Sequence, residues 1–152
     1  MELKLTENDV KESERWLDQQ SEGLDLTKEP DGDLLFTYGT LKRGMHNNYL
    51  LSGAEFIGEA ATVECYPFEH ITVFGLPDKG LHVRGEVWRP AKGQWANLDR
   101  LEHHPRWYRR VPIGVKLNDG SSAVLKVWLY FVPARAGTVF CVDNYTDTQN
   151  EW

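Results

Sequence analysis

Cysteine is scarce. Only Cys65 and Cys141 are present, far apart and in no zinc or redox spacing, which argues against a disulfide framework, a structural zinc site and a thiol-disulfide centre. Both are read as reduced thiols of a cytoplasmic protein. Neither has a neighbouring base, so thiol nucleophilic catalysis is not expected. Apolar runs long enough to span a bilayer are missing, and no charged-then-apolar leader is visible, so neither membrane insertion nor export is expected. A basic surplus is missing too. The net charge is −6, which gives no whole-chain signal for nucleic-acid binding. The five histidines are scattered apart from the adjacent His103 and His104, which on a helix would point in different directions. No metal site is expected.

What the chain does have is apolar bulk, at 41% of 152 residues with six each of Trp, Tyr and Phe, enough for a globular core. Its charge is uneven. Residues 1–33 carry eleven acidic and four basic side chains (−7), leaving twelve acidic and thirteen basic (+1) in residues 34–152. The acidity therefore belongs to an N-terminal extension, made of a helix and a linker. Thr6 and Asp9 have capping-box spacing, which predicts a helix over residues 7–20 with Val10 and Leu17 on one face and Trp16 at its edge. So thin an apolar stripe predicts marginal packing, or a helix lying on a partner. "SEGLDLTKEPDGD" reads as linker.

From Leu34 the texture becomes strand-rich. "LLFTY", "EFIGEAATVEC", "HITVFGL" and "LHVRGEVWR" are predicted strands, the last two joined by the turn "PDKG". "NNYLLSG" reads as a short helix closed by Gly53. "KGQWANLDRLEHHP" places Trp95, Leu98 and Leu101 near helical spacing and ends at Pro105. "YRRVPIGVKL" and "AVLKVWLYFV" read as a hairpin across "NDGSS". The last twenty residues are polar, are broken by Pro133 and Gly137, and are expected to wrap the surface. The fold class is α+β, with a closed or nearly closed sheet.

Two stretches could carry chemistry. In "DLLFTYGTLKRG", Gly39 follows a strand. Successive amides there could share one concavity for a carboxylate or oxyanion, with Lys42 and Arg43 adding positive potential at its mouth. Taken alone, a strand and a plain turn account for it better. In "LDRLEHHP", Asp99 and Glu102 share a helix face. Glu102, if desolvated beside another acid, would have the raised pKa a general base needs; the bland alternative is an exposed Glu paired with Arg106 or Arg109. Arg100, Arg106, Arg109 and Arg110 form a basic cluster, read as a solvated face before a contact for an acidic substrate.

Together these stretches resemble the gamma-glutamylcyclotransferase-like family, in particular its gamma-glutamylamine cyclotransferase branch. "FTYGTLKRGMHNNYLL" resembles the branch's opening strand and Tyr-Gly-Ser/Thr-Leu loop. "GEVWRP", "LDRLEHHPRWYRR" and "VWLYFV" resemble its later strands and its Leu-Asp-x-x-Glu segment. The resemblance spans about residues 34–133. It implies a small mixed β-barrel with packed helices in a cyclotransferase-like domain, residues 34–152, preceded here by the N-terminal helix. It implies attack of a gamma-glutamyl α-amine on its own side-chain carbonyl, releasing 5-oxoproline and a free amine without metal or cofactor. On the matching positions, Glu102 is the catalytic acid/base, Tyr38, Gly39, Thr40 and Leu41 hold the glutamyl group, and Tyr130 lines the pocket. The implied partner is a small gamma-glutamyl substrate, with no membrane or nucleic acid. Two departures stand out: residues 1–33 precede the loop and could mediate self-association or bind a protein, and "EHHPRW" alters the leaving-group side. The alternative reading is a non-catalytic module on the same scaffold, binding a small anion or another protein.

Overall fold

The computed structural model describes residues 1–145. Thr6 starts the first helix. Its Oγ1 accepts the Asp9 N–H at 3.2 Å and its own N–H donates to Asp9 Oδ2 at 2.8 Å, the reciprocal box anticipated from the spacing. Helix α1 then runs over Glu7–Ser21. The strand before it, β1 (Glu2–Leu5), was not anticipated, because four residues with one alternation give almost no signal. Its partner is at the other end of the chain, where the tail expected to wrap the surface forms β9 (Gly137–Phe140) instead. The two pair antiparallel, Glu2 opposite Phe140 and Leu5 opposite Gly137. Val139 and Cys141 are buried there with Leu5, Phe74 and Leu76.

The intervening strands are β2 (Leu35–Thr37), β3 (Glu55–Tyr66), β4 (Phe68–Glu69), β5 (Thr72–Val73), β6 (Leu81–Arg89), β7 (Arg109–Leu117) and β8 (Leu125–Phe131). Five of them close a barrel in the order β2-β6-β3-β7-β8, sealed by a parallel contact of Leu35 with Trp128. All other ladders are antiparallel, so the barrel is mixed, within an α+β fold preceded by the N-terminal helix. The expected β7–β8 hairpin forms, with Arg109 opposite Phe131 through Val115 opposite Leu125. "HITVFGL" is not one strand. Its chain turns at His70, whose φ is 57°; Thr72–Val73 pairs with Phe68–Glu69, and Phe74 makes an isolated parallel bridge to Val132. Nor does it pair across "PDKG" with β6, whose neighbours are β2 and β3.

Alternation along each strand divides the apolar residues between two cores. Phe36, Val87, Val111, Val115, Val127 and Leu129 fill the barrel. Leu35, Trp88 and Tyr130 point out of it, against the second helix α2 (Gln94–Leu101) and a 3₁₀ turn at Asn48–Leu51. Gly85 permits the β2–β6 approach: a Cβ there would run into the Thr37 carbonyl and the Phe36 ring.

Helix α1 is not marginally packed. Its buried face is Asp9, Ser13 and Leu17, spaced by four, and Val10 is only half-buried. Leu17 joins the barrel core and Trp16 sets its ring edge-on to Phe131 at 5.1 Å. Ser13 is fully buried. Its hydroxyl donates to the Gly75 carbonyl at 2.8 Å and accepts the Ala134 N–H at 2.9 Å. A polar residue counts against burial in a stripe analysis, yet here it is the stitch. Ser13→Ala orphans two buried backbone groups and should cost about 2–4 kcal/mol, measured by urea unfolding.

Candidate active site

The Tyr38–Leu41 loop leaves β2 with its carbonyls occupied and its amides free. Lys42 N–H donates to Gly39 O at 3.1 Å, Asn47 N–H to Thr40 O at 3.0 Å, and Asn48 Nδ2 to Leu41 O at 2.8 Å. The N–H groups of Gly39, Thr40 and Leu41 donate to no other described residue. Gly39 is not in a left-handed conformation, so it is not needed for the bend. It is buried and lines a cavity, yet a Cβ on it would meet no atom within 4 Å. The space its missing side chain leaves belongs to the cavity.

Lys42 and Arg43 do not supply charge to the mouth, as the sequence suggested. Lys42 is buried, donating from Nζ to Asn144 Oδ1 and the Tyr145 carbonyl. Arg43 turns to Glu86, which accepts its N–H at 2.8 Å and its Nε at 3.0 Å, and stacks over Phe56. Both side chains brace the loop from behind.

The facing wall comes from α2. Trp95 and Leu98 bury its inner side, and Glu102 caps its C-terminus with its N–H on Leu98 O at 3.1 Å. No ion pair engages the Glu102 carboxyl among the described residues, and burial pushes its pKa up to about 7. The expected second acid is not the cause. Asp99 is neutralised by Arg110, with Nε to Oδ1 at 2.8 Å and Nη2 to Oδ2 at 3.0 Å, and it accepts the Tyr130 hydroxyl at 2.6 Å. Nor is Arg110 on a solvated face: it is 1% exposed, lies over the Trp95 and Trp128 rings, and donates to the Leu26 and Lys28 carbonyls. Arg109 pairs with Asp18 rather than with Glu102. His104 is held between Arg110 N–H, which donates to Nδ1, and the Leu26 carbonyl, which accepts from Nε2. Burial lowers the ring's pKa.

One cavity of about 610 Å³ is lined by Tyr38, Gly39, Thr40, Leu41, Glu102 and Tyr130, so the structure brings together the six residues carried over from the family resemblance, while Lys42, Arg43 and Asp99 do not line it. Two of them bring rings rather than free hydroxyls: Tyr38 Oη donates to the Tyr130 carbonyl at 2.8 Å, and Tyr130 Oη is taken by Asp99. Burial raises both phenols well above their ordinary range. Sequence reasoning missed Ile71, Thr72 and Tyr108 on the same wall, because they read only as strand residues and no motif marks them.

The sequence profile described as "Gamma-glutamyl cyclotransferase, AIG2-like" matches residues 35–152. The chain belongs to this family. It is 36% identical over 107 residues to the gamma-glutamylaminecyclotransferase of Bos taurus, a match covering 63% of each protein. A Methanocaldococcus jannaschii protein provisionally named a gamma-glutamylcyclotransferase is 30% identical over 118 residues, 76% of this chain and 97% of that one. The crystal structure of an AIG2-like protein from mouse superposes with a TM-score of 0.66 at 27% identity, covering 75% of this chain and 88% of that one. No described helix is long and apolar enough to cross a membrane.

Two stability predictions follow from the acids. Arg110→Ala leaves Asp99 without its buried counter-ion and should cost about 3–5 kcal/mol in chemical denaturation. Arg110→Lys, which cannot form the fork, should recover less than half of that. For Glu102 the folded pKa is raised, so its contribution is intact below the ordinary value of 4.5 and is lost as pH rises through about 7. Glutamine does not ionise, so Glu102→Gln should raise the melting temperature at pH 8 more than at pH 5.

Proposed function

We propose that the chain is a cyclotransferase that acts on a gamma-glutamyl amine or peptide, releasing 5-oxoproline and a free amine. One observation carries the reading: an unpaired carboxyl, raised by burial to about 7, shares a cavity with a loop of undonated amides. The family membership and the names of the relatives support it.

The glutamyl head lies against Gly39–Leu41, where free N–H groups face anionic oxygen and no Cβ intrudes. Glu102 takes a proton from the α-amine as its nitrogen attacks the side-chain carbonyl. The carbonyl π pair moves to oxygen, and each well-aimed amide at that oxyanion is worth on the order of 3 kcal/mol. As the oxyanion collapses, the C–N bond to the leaving amine breaks and Glu102 returns the proton to that nitrogen. One carboxyl serves both transfers because its pKa lies near the operating pH, a contribution of typically 10²–10⁴-fold. Holding amine and carbonyl together can contribute roughly 7–11 kcal/mol more.

Glu102→Gln should keep the wild-type circular dichroism spectrum and lose about 10²–10⁴-fold in kcat/KM for 5-oxoproline release. The wild-type kcat/KM should climb through a limb near pH 7 as the carboxyl ionises. Full activity in the variant would remove Glu102 from the mechanism.

A further inference from the structure

The described chain exposes few large apolar side chains, and two of them, Trp107 and Ile71, border the cavity. Trp107 is 66% exposed and Ile71 is 44% exposed. Exposed apolar groups at a cavity mouth are the ordinary lining of a ligand site.

Their backbone is fixed. Both the Arg106 and Trp107 N–H groups donate to the His103 carbonyl, at 2.9 and 3.0 Å, and Tyr108 N–H donates to Glu102 O at 3.2 Å. His103 accepts a left-handed φ of 53° to close this turn, and its ring stands edge-on to Trp107 at 5.6 Å. Tyr108 Oη meets Thr72 Oγ1 at 3.2 Å and donates to the Ile71 carbonyl at 3.4 Å, lacing the two turns into one wall. That wall adjoins Glu102, whose carbonyl Tyr108 holds, and it is a separate segment from the Gly39–Leu41 loop.

The charge lining the cavity points the same way. Its described carboxylates are Glu69 and Glu102. Glu69 is ion-paired to Arg135 Nη2 at 2.6 Å and accepts the Phe140 N–H at 2.7 Å. No second free carboxylate remains among these residues to receive an ammonium at the far end of a leaving group.

We infer that Trp107 and Ile71 form a leaving-group subsite for an uncharged apolar amine, so that the preferred substrates are gamma-glutamyl amides of alkyl or aryl amines. The inference rests on the cyclotransferase reading for the orientation of the glutamyl head, and it is tested by binding as well as by turnover.

The probes are gamma-glutamyl n-alkylamides from methyl to hexyl, with a gamma-glutamyl amide of a diamine as the charged comparator. Calorimetric binding to Glu102→Gln should tighten by roughly two- to fourfold per methylene. Glu102→Gln/Trp107→Ala and Glu102→Gln/Ile71→Ser should each flatten that slope. In the wild type, kcat/KM for 5-oxoproline release should follow the same slope. Chain-length-dependent binding that needs Trp107 but gives no turnover upholds the subsite and overturns the reaction. Turnover with no chain-length or Trp107 dependence, or with the diamine amide preferred, overturns the subsite and upholds the reaction. Absence of both binding and turnover overturns both.

Discussion

The candidate site depends on one buried guanidinium. Arg110 ties Asp99 of α2 to β7, and through Asp99 it holds the Tyr130 hydroxyl of β8. Nη2 also donates to the Leu26 and Lys28 carbonyls, so the segment after α1 is fastened to the same point, while Nη1 has no hydrogen-bond partner among the described residues. A planar fork with five N–H groups can serve a carboxylate and backbone carbonyls at once, which a lysine cannot. The helix carrying Glu102 is thereby set against the outer face of the barrel.

The same helix shows how environment separates two acids three residues apart. Asp99 is held by its pairing with Arg110. Glu102 has no such partner among the described residues, and desolvation lifts it toward neutrality. An acid that can both accept and return a proton near neutral pH requires this isolation. The charged form of Glu102 is correspondingly disfavoured in the fold.

The cavity draws its lining from both cores, Phe36 and Tyr38 from the barrel and Leu41 and Tyr130 from the packing against α2, because strand alternation divides the side chains between them. Phe36 and Leu129 face in, whereas Leu35 and Tyr130 face out and meet α2 and the 3₁₀ turn. The barrel interior is filled with side chains and serves as a platform. The loop after β2 is braced by Lys42 and Arg43 from behind and has its carbonyls satisfied by Lys42, Asn47 and Asn48. Its N–H groups at Gly39–Leu41 donate to no described residue, and the same three residues line the cavity.

Much of this was legible in the chain itself. The Thr6–Asp9 box, the β7–β8 hairpin, the amphipathic run around Leu98 and the pairing of "TYGTL" with "LDRLE" are local patterns, set by periods of two and 3.6 and by short motifs. Those patterns, with the family resemblance, were enough to name Glu102 and the Tyr38–Leu41 loop. What they could not carry is any contact between residues remote in the chain. The β1–β9 pairing joins the two ends of the described chain, and Ser13 is buried by carbonyl and amide groups of distant turns. Arg110 reads as one of four surface arginines until the fold closes over it. The nearby acid that was expected to raise Glu102 is instead neutralised. Periodicity reports which face a residue takes, but charge state and burial depend on what other segments bring to that face. Only the tertiary structure decided that.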